Sequence, residues 1–172
     1  MKVVINVGHG GGDCGAVNQS SGHTEHQYNL SLSSALKSHL SKDGFEVDIV
    51  IQNKLNGLPT KINALNPDFI ISLHSNAFNT KAKGSECLYH PSSKKGLLLA
   101  ESIQREIVKL GRVDRGVKPR DNLLILRKTN APCVIIEPFF IDNDDEHQWA
   151  ISNVDALAKA VSIGARKYAG DL

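Results

Sequence analysis

The hydrophobic positions of this chain fall into two patterns that alternate along its length. Short runs that are almost wholly apolar are typical of strands covered on both faces of a sheet. Longer stretches place apolar residues three or four positions apart, as expected for amphipathic helices. Strands are therefore predicted at residues 2–7, 45–51, 69–73, 86–89, 123–126 and 134–137.

Helices are predicted between these strands. Thr24 and Gln27 have the spacing of a capping box, and apolar residues follow at helical spacing until Gly44 ends the pattern. Further helices are predicted at 58–65 and 93–110 and, capped by Asn143 and Asn153, at the end of the chain.

Strands that alternate with helices imply an α/β fold, because helical crossovers join parallel strands and cover both faces of the sheet. The chain is therefore predicted to form a single domain over residues 1–172, with a mostly parallel, twisted sheet of about six strands and helices on both faces. Segment 112–122 interrupts the pattern, because it is charged and rich in turn residues. It is expected to be an exposed loop at the rim of the site.

Composition argues against several classes of protein. The formal net charge is only +2, with acidic and basic residues interspersed, so neither nucleic acid nor a membrane surface is indicated as a partner. The three cysteines, Cys14, Cys87 and Cys133, are far apart and odd in number, so we expect them to be reduced. A strand occupies the first few residues, and no apolar run reaches the roughly 18 residues of a membrane span, so no signal peptide is expected. We expect a monomer that is made in the cytoplasm.

Three of the apolar runs lead directly into residues that bind metals or transfer protons. His9 follows the first run, His74 follows the third, and Glu137 ends the last. If these strands are parallel neighbours, their carboxyl ends open onto one crevice, which is where open α/β sheets place their sites. Two imidazoles and a carboxylate in one crevice are typical of a zinc hydrolase.

The glycine-rich turn that contains His9, GHGGGDCGA, has a phosphate-binding loop as its alternative interpretation. It lacks Gly-Lys-Ser/Thr, its glycine spacing differs from the dinucleotide fingerprint, and the predicted helix begins well downstream. A metal ligand in a turn whose glycines allow close backbone approach explains the pattern better. The third ligand stays open on spacing alone, because His23, Glu25 and His26 all lie within reach of the turn.

Glu137 lies between the apolar segments CVII and PFF, where a carboxylate is costly to bury unless it is paired or has a function. One interpretation is a buried salt bridge with Arg127. The other is a general base whose pKa is raised toward the operating pH by its apolar surroundings. Glu86 fits either a supporting role in the site or a structural one. Four further polar residues show no sequence pattern that distinguishes them from ordinary surface residues: Asp13, His39, His90 and His147.

Four motifs also occur in the order found in a known family. They are GHGG-x-D-x-GA at 8–16, Glu25 four residues ahead of an Asn-Leu pair, S-L-H-S-N-A at 72–77 with G-x-E behind it, and the run 132–137. With these motifs the chain resembles the catalytic domains of zinc-dependent N-acetylmuramoyl-L-alanine amidases of the amidase-3 type, and those of bacteriophage endolysins in particular. The resemblance extends from Met1 to the last helix.

The resemblance implies a role for each candidate residue. Glu25 would join His9 and His74 as the ligands of a Zn²⁺ ion, and Glu137 would be the catalytic acid and base. It implies hydrolysis of the amide between N-acetylmuramic acid and L-alanine in peptidoglycan, and hence lysis of the cell wall after release from the cytoplasm. Two alternatives remain: a zinc peptidase that acts within the stem peptide, and a catalytically silent module that binds peptidoglycan.

The chain departs from the family pattern in two places. Glu137 is followed by Pro-Phe-Phe where many relatives have Ile-Gly-Phe or similar, so the pocket wall is expected to differ. The stretch between the second and third strands omits an arginine-containing helix that is common in relatives. Substrate contacts on that side are therefore expected to differ as well.

Overall fold

The computed structural model describes residues 1–53 and 55–170, which form six strands and six helices. The strands are β1 (Lys2–Val7), β2 (Glu46–Ile51), β3 (Phe69–Leu73), β4 (Ser85–Tyr89), β5 (Asp114–Pro119) and β6 (Cys133–Glu137). The helices are α1 (Glu25–Lys42), α2 (Leu58–Ala64), α3 (Lys94–Val108), α4 (Leu124–Lys128), α5 (Asp144–Ser152) and α6 (Val154–Gly170). Of the predicted domain 1–172, Lys54, Asp171 and Leu172 lie outside the described residues.

The strands form one sheet in the order β2-β1-β3-β6-β4-β5. β1 pairs in parallel with β2 and β3, β3 with β6, and β4 with β5, whereas β4 runs antiparallel to β6. The prediction of a single α/β domain with a mostly parallel sheet of six strands is confirmed. The chain passes from β1 outward to β2 and then back to β3 on the other side of β1, so the switch of direction opens a crevice at the carboxyl ends of β1 and β3.

Alternate residues of the strands enter two hydrophobic cores, one on each face of the sheet. Val3 and Ile5 of β1 point into the larger core, which is closed by α1, α3 and α6. Val4 points into the smaller core, which is closed by α2 and α4. Helices on both faces are therefore confirmed, and the central strands are continuously apolar because both of their faces are covered.

The strand predicted at 123–126 is wrong. These residues enter α4, whose Ile125 and Leu126 are buried in the smaller core. Four apolar residues in a row fit one helical turn as well as a short strand, and their period cannot separate the two.

The exposed loop predicted at 112–122 is also wrong, because Asp114–Pro119 forms β5 and pairs with β4 at the edge of the sheet. An edge strand has a neighbour on one side only, so it tolerates charged residues and a proline that a central strand would exclude. Those residues conceal the strand pattern in the sequence.

The start of α1 is confirmed in detail. The Thr24 hydroxyl accepts a hydrogen bond from the Gln27 backbone N–H, and the Gln27 side chain accepts one from the Thr24 backbone N–H. This reciprocal cap fixes Glu25 as the first residue of the helix. Asn143 caps α5 through the Glu146 N–H, whereas the Asn153 side chain donates to a carbonyl of α5.

The three cysteines are free thiols, as expected. Cys87 and Cys133 are buried, and burial raises the pKa of the Cys133 thiol to about 12, so both pack as small apolar residues. Within residues 1–53 and 55–170, no helix has both the length and the apolar character that a membrane crossing requires.

Candidate metal centre and active site

The four predicted site residues come from four elements that meet at one edge of the sheet. His9 lies two residues beyond β1, His74 directly follows β3, and Glu137 is the last residue of β6. Glu25 begins α1, at the end of the loop that leaves β1. Backbone hydrogen bonds continue past the strand ends, from the loop after β1 to β3 and from the loop after β3 to β6. The edge is therefore held together by the sheet itself.

Two imidazoles and one carboxylate converge at this edge. His9 Nε2 lies 3.1 Å from Glu25 Oε2, and His74 Nδ1 lies 2.9 Å from Glu25 Oε1. One candidate ligand atom from each of the three residues lies within 4.8 Å of the others. The two histidine rings meet edge to face, with centroids 5.1 Å apart. The residues that were far apart in sequence thus share one small space.

The carboxylate of Glu25 is buried and is held in place by backbone donors. Oε1 accepts a hydrogen bond from the Ser75 N–H, and Oε2 accepts one from the Ala16 N–H. Burial by itself would raise the pKa of Glu25, but hydrogen bonds from His74 and His9 outweigh it and hold this pKa far below its usual range. Glu25 is therefore ionised and fixed in orientation, as a metal ligand must be.

Asp13 belongs to the site, although no sequence pattern separated it from the surface. Its Oδ2 lies 2.8 Å from His9 Nδ1, and its Oδ1 accepts from the Gly15 N–H. This contact places the Nδ1 proton toward Asp13 and turns Nε2 toward Glu25, which is the usual way in which a carboxylate orients a metal-binding histidine. Glu25, by its hydrogen bond, raises the pKa of His9 to about 9.

The two other candidates for the third ligand lie elsewhere. His23 Nδ1 is 2.9 Å from His147 Nε2, in a contact that ties the loop before α1 to α5. His26 Nδ1 is 3.3 Å from the Gly8 carbonyl oxygen. Of His23, Glu25 and His26, only Glu25 stands with His9 and His74.

Glu137 lies near the cluster of His9, Glu25 and His74 but is not a member of it. Among the described residues no ion pair includes Glu137, so the salt bridge with Arg127 is absent from this part of the chain. Burial, followed by the negative charge of Glu86 on β4, raises the pKa of Glu137 to about 7. A carboxyl group with that pKa can both take and give a proton near neutral pH.

The donor set itself tests whether a metal fits. Zinc is held by imidazole nitrogens and carboxylate oxygens in catalytic sites, typically by three protein ligands that leave one position open. His9, Glu25 and His74 provide that set, with Asp13 behind His9 as its orienting partner. The residues present therefore fit a zinc ion, and Glu137 stays free for proton transfer.

Comparison with known protein families shows to which family the chain belongs. Residues 3–167 match the model of the amidase-3 family, described as N-acetylmuramoyl-L-alanine amidase. The chain belongs to this family.

Individual amidase relatives agree with the family match. The chain is 34% identical to the endolysin of Bacillus phage SPP1 in an alignment of 175 positions that covers 94% of this chain and 62% of the phage protein. An N-acetylmuramoyl-L-alanine amidase from Clostridium difficile 630 has a TM-score of 0.90 at 29% identity, with 98% of this chain and 96% of that chain covered. The catalytic domain of the CD27L endolysin, which targets Clostridia difficile, has a TM-score of 0.86 at 33% identity, with 95% and 96% covered. This chain spans about three fifths of the length of the SPP1 endolysin.

Pro138 does not interrupt the backbone hydrogen bonds between the segments that follow β3 and β6. Asn76, two residues beyond His74, donates its backbone N–H to the Phe139 carbonyl and accepts from the Ile141 N–H. A proline has no N–H to contribute, but these bonds use its neighbours in the chain. Glu137 is therefore held on both sides by backbone that continues the β3 and β6 pairing.

The stretch between β2 and β3, where substrate contacts are expected to differ, lies beside His9. A cavity of about 370 Å³ opens there, and the described residues that line it include three with amide side chains: Gly10, Asp13, Gln52, Asn53, Leu55 and Asn56. The amide side chains of this lining can exchange hydrogen bonds with neutral groups.

Gly15 gives a test of how closely the metal centre is packed. A Cβ at this position would lie 2.7 Å from both Glu25 Oε2 and His9 Cδ2, and the backbone φ is +69°. We expect Gly15→Ala to lower the affinity for zinc by at least about tenfold, because either ligand must move. The matched control is Gly22→Ala, where φ is +72° and nothing lies within 4 Å. Competition with a chromogenic chelator measures both affinities, and equal values would contradict this packing argument.

Proposed function

We propose that this chain, residues 1–172, is the catalytic domain of a zinc-dependent N-acetylmuramoyl-L-alanine amidase. It hydrolyses the amide that joins the lactyl group of N-acetylmuramic acid to the L-alanine of the stem peptide in peptidoglycan, and so degrades the cell wall. The observation that carries the proposal is the cluster of His9, Glu25 and His74 within 4.8 Å, with the separate carboxyl group of Glu137 beside it. The family match supplies the class of substrate.

The proposed ligands are His9 through Nε2, Glu25 through its carboxylate and His74 through Nδ1, since these atoms face one another. A zinc ion held there supplies an open position for water, lowers the pKa of that water to about 7, and stabilises negative charge on a carbonyl oxygen. Asp13 binds His9 Nδ1 and so orients Nε2 toward the other two ligands, and the Ser75 and Ala16 N–H groups hold the Glu25 carboxylate in place.

Glu137 is the proposed acid and base. Its carboxylate takes a proton from the water that attacks the amide carbonyl carbon, and its carboxyl group then gives a proton to the leaving nitrogen. The carbon–nitrogen bond breaks, the solvent oxygen stays on the lactyl carboxylate, and the stem peptide leaves with L-alanine as its new amino terminus. A pKa near 7 suits both steps, because each requires a different protonation state of the same group.

Mass spectrometry of purified peptidoglycan digested by the zinc-loaded protein tests the proposed bond. We expect glycan strands with free lactyl carboxylates and stem peptides that begin with L-alanine. Stem peptides that begin at another residue would replace the amidase assignment with a peptidase. Binding to peptidoglycan at full zinc occupancy with no released peptide would replace it with a silent binding module.

Peptidoglycan is the partner that this proposal names. The expectations of a monomer that binds neither nucleic acid nor membranes, and of synthesis in the cytoplasm before action on the wall, stay predictions. Sedimentation of the purified protein at micromolar concentration measures the first of them directly.

A further inference from the structure

Glu86 lies directly opposite Glu137 in the antiparallel pair of β4 and β6. Side chains that are directly opposite in such a pair stand on the same face of the sheet, a few ångströms apart. Glu86 is buried, with 4% of its surface exposed. Two carboxyl groups are therefore neighbours in a site where only Glu137 has a proposed role in catalysis.

Glu86 binds two cations from the neighbouring edge strand. Arg115 Nε and Lys118 Nζ each lie 2.7 Å from Glu86 Oε2. The Arg115 guanidinium also lies over the Phe140 ring, 4.9 Å from its centroid. Burial would raise the pKa of Glu86, but the hydrogen bonds from Lys118 and Arg115 lower it, so Glu86 is ionised.

The same two cations are bound to the carboxylate that lies directly opposite Glu137 in the β4–β6 pair. Their side chains are about a third exposed, at 35% for Arg115 and 32% for Lys118, so neither side chain is fixed by packing in the core. Arg and Lys pair readily with any carboxylate within a few ångströms, and a carboxylate so paired is a weak base with its lone pairs occupied. Yet Glu137 takes part in no ion pair among the described residues, and both cations are on Glu86.

We infer that Glu86 is a positioning residue for Glu137: it holds Arg115 and Lys118 and so prevents both cations from pairing with the catalytic carboxylate. The inference rests on the proposed function of Glu137. It explains why a buried ionised glutamate stands next to a general base. Glu86 keeps the cations of the edge strand close enough to neutralise its own charge and away from the reacting group.

Three variants test the inference through kcat and KM on a soluble N-acetylmuramoyl-peptide at equal zinc content. Glu86→Gln keeps the shape of the side chain and releases both cations. The triple variant Glu86→Gln, Arg115→Gln, Lys118→Gln removes the cations as well, and leaves no unpaired charge in the cluster. Glu106→Gln is the matched control, because Glu106 on α3 is also buried and also binds two cations, Lys109 directly after α3 and Lys167 on α6.

We expect Glu86→Gln to lower kcat by about tenfold or more with KM changed less than about twofold, because the loss falls on proton transfer and not on binding. The triple variant should regain a kcat within about threefold of wild type, since nothing remains to pair with Glu137. Glu106→Gln should match wild type. Rescue by two further substitutions is not expected of a residue that only stabilises the fold.

Wild-type kcat in Glu86→Gln would overturn the inference, as would a folded triple variant no more active than Glu86→Gln. If Glu86→Gln does not fold, the triple variant decides alone: a folded triple variant as inactive as Glu137→Gln overturns the inference, and one near wild type supports it. These outcomes all require an active wild type. A zinc-loaded wild type that releases no stem peptide would instead contradict the proposed function.

Discussion

Replacing Glu137 by glutamine is expected to lower kcat for amide hydrolysis by at least about 10²-fold while zinc content and fold are unchanged. Glutamine has nearly the same shape, so it fills the same half-buried position at the end of β6. It can neither take a proton from water nor give one to the leaving nitrogen. Because Glu137 lies outside the cluster of His9, Glu25 and His74, the substitution should leave the metal in place.

Release of stem peptides, zinc per chain and the thermal unfolding midpoint together measure this prediction. Glu101→Gln, an exposed glutamate on α3, is the control and should retain wild-type kcat. Near wild-type kcat in Glu137→Gln would remove Glu137 from the mechanism. A low kcat accompanied by loss of zinc would mean that Glu137 supports the metal and is not primarily a base.

The pH dependence of the same reaction follows from the raised pKa of Glu137. The carboxylate is the active form for the first proton transfer, so kcat/KM should fall as the pH drops through this pKa, which burial raises to about 7. The charge of a bound cation favours the carboxylate, so the midpoint is expected at or below about pH 7. Glu137→Gln should lose this acid limb along with its activity.

Replacing His9 or His74 by alanine is expected to remove bound zinc, whereas His26→Ala should retain it. Either of the first two changes deletes one of three protein ligands, and a site with two ligands holds zinc far more weakly. His26 has the same side chain and lies one residue from Glu25, but its Nδ1 faces the Gly8 carbonyl oxygen at 3.3 Å. The comparison therefore separates loss of a ligand from loss of a nearby histidine.

Metal analysis of the three purified variants measures this prediction. We expect about one zinc per chain in wild type and His26→Ala and almost none in His9→Ala and His74→Ala. Added zinc should raise the unfolding midpoint of wild type and His26→Ala, since a ligand that binds the native state stabilises it. A zinc-free His26→Ala protein would move the third ligand from Glu25 to His26.

Much of the site edge could be predicted because its strands are long apolar runs with clear ends. The runs before His9 and His74 end where the strands end, and the capping box of Thr24 and Gln27 fixed the start of α1. Parallel pairing of adjacent strands then brings these ends together without further information. These features are local in sequence, which is why they could be recognised.

The remaining features depend on geometry that sequence spacing does not contain. His23, Glu25 and His26 are so close in sequence that spacing admitted all three, and the direction in which each side chain leaves the helix start decides which one meets His9 and His74. Asp13 reaches His9 because the turn has positive φ at His9, +65°, and at the glycines that follow. His9 adopts this backbone conformation although it is not a glycine, so the path of this turn could not be derived from residue types alone.

The environment of Glu137 was hidden for a different reason. Its neighbour Glu86 and the cations Arg115 and Lys118 come together only when β5 is recognised as a strand. The charged residues of β5 and its Pro119 made that segment of the sequence resemble a loop. A contact between strands far apart in sequence cannot be predicted while one of them is assigned wrongly.

Hydrolysis of peptidoglycan in ¹⁸O-labelled water is the measurement that tests the central claim most directly. Hydrolysis of an amide adds the solvent oxygen to the acyl carbon, so an amidase should place one ¹⁸O in the lactyl carboxylate of N-acetylmuramic acid. Zinc-loaded wild type is predicted to give this label, and Glu137→Gln is predicted to give at most about a hundredth of the rate. Label in a carboxylate of the stem peptide, with the lactyl carboxylate unlabelled, would contradict the account.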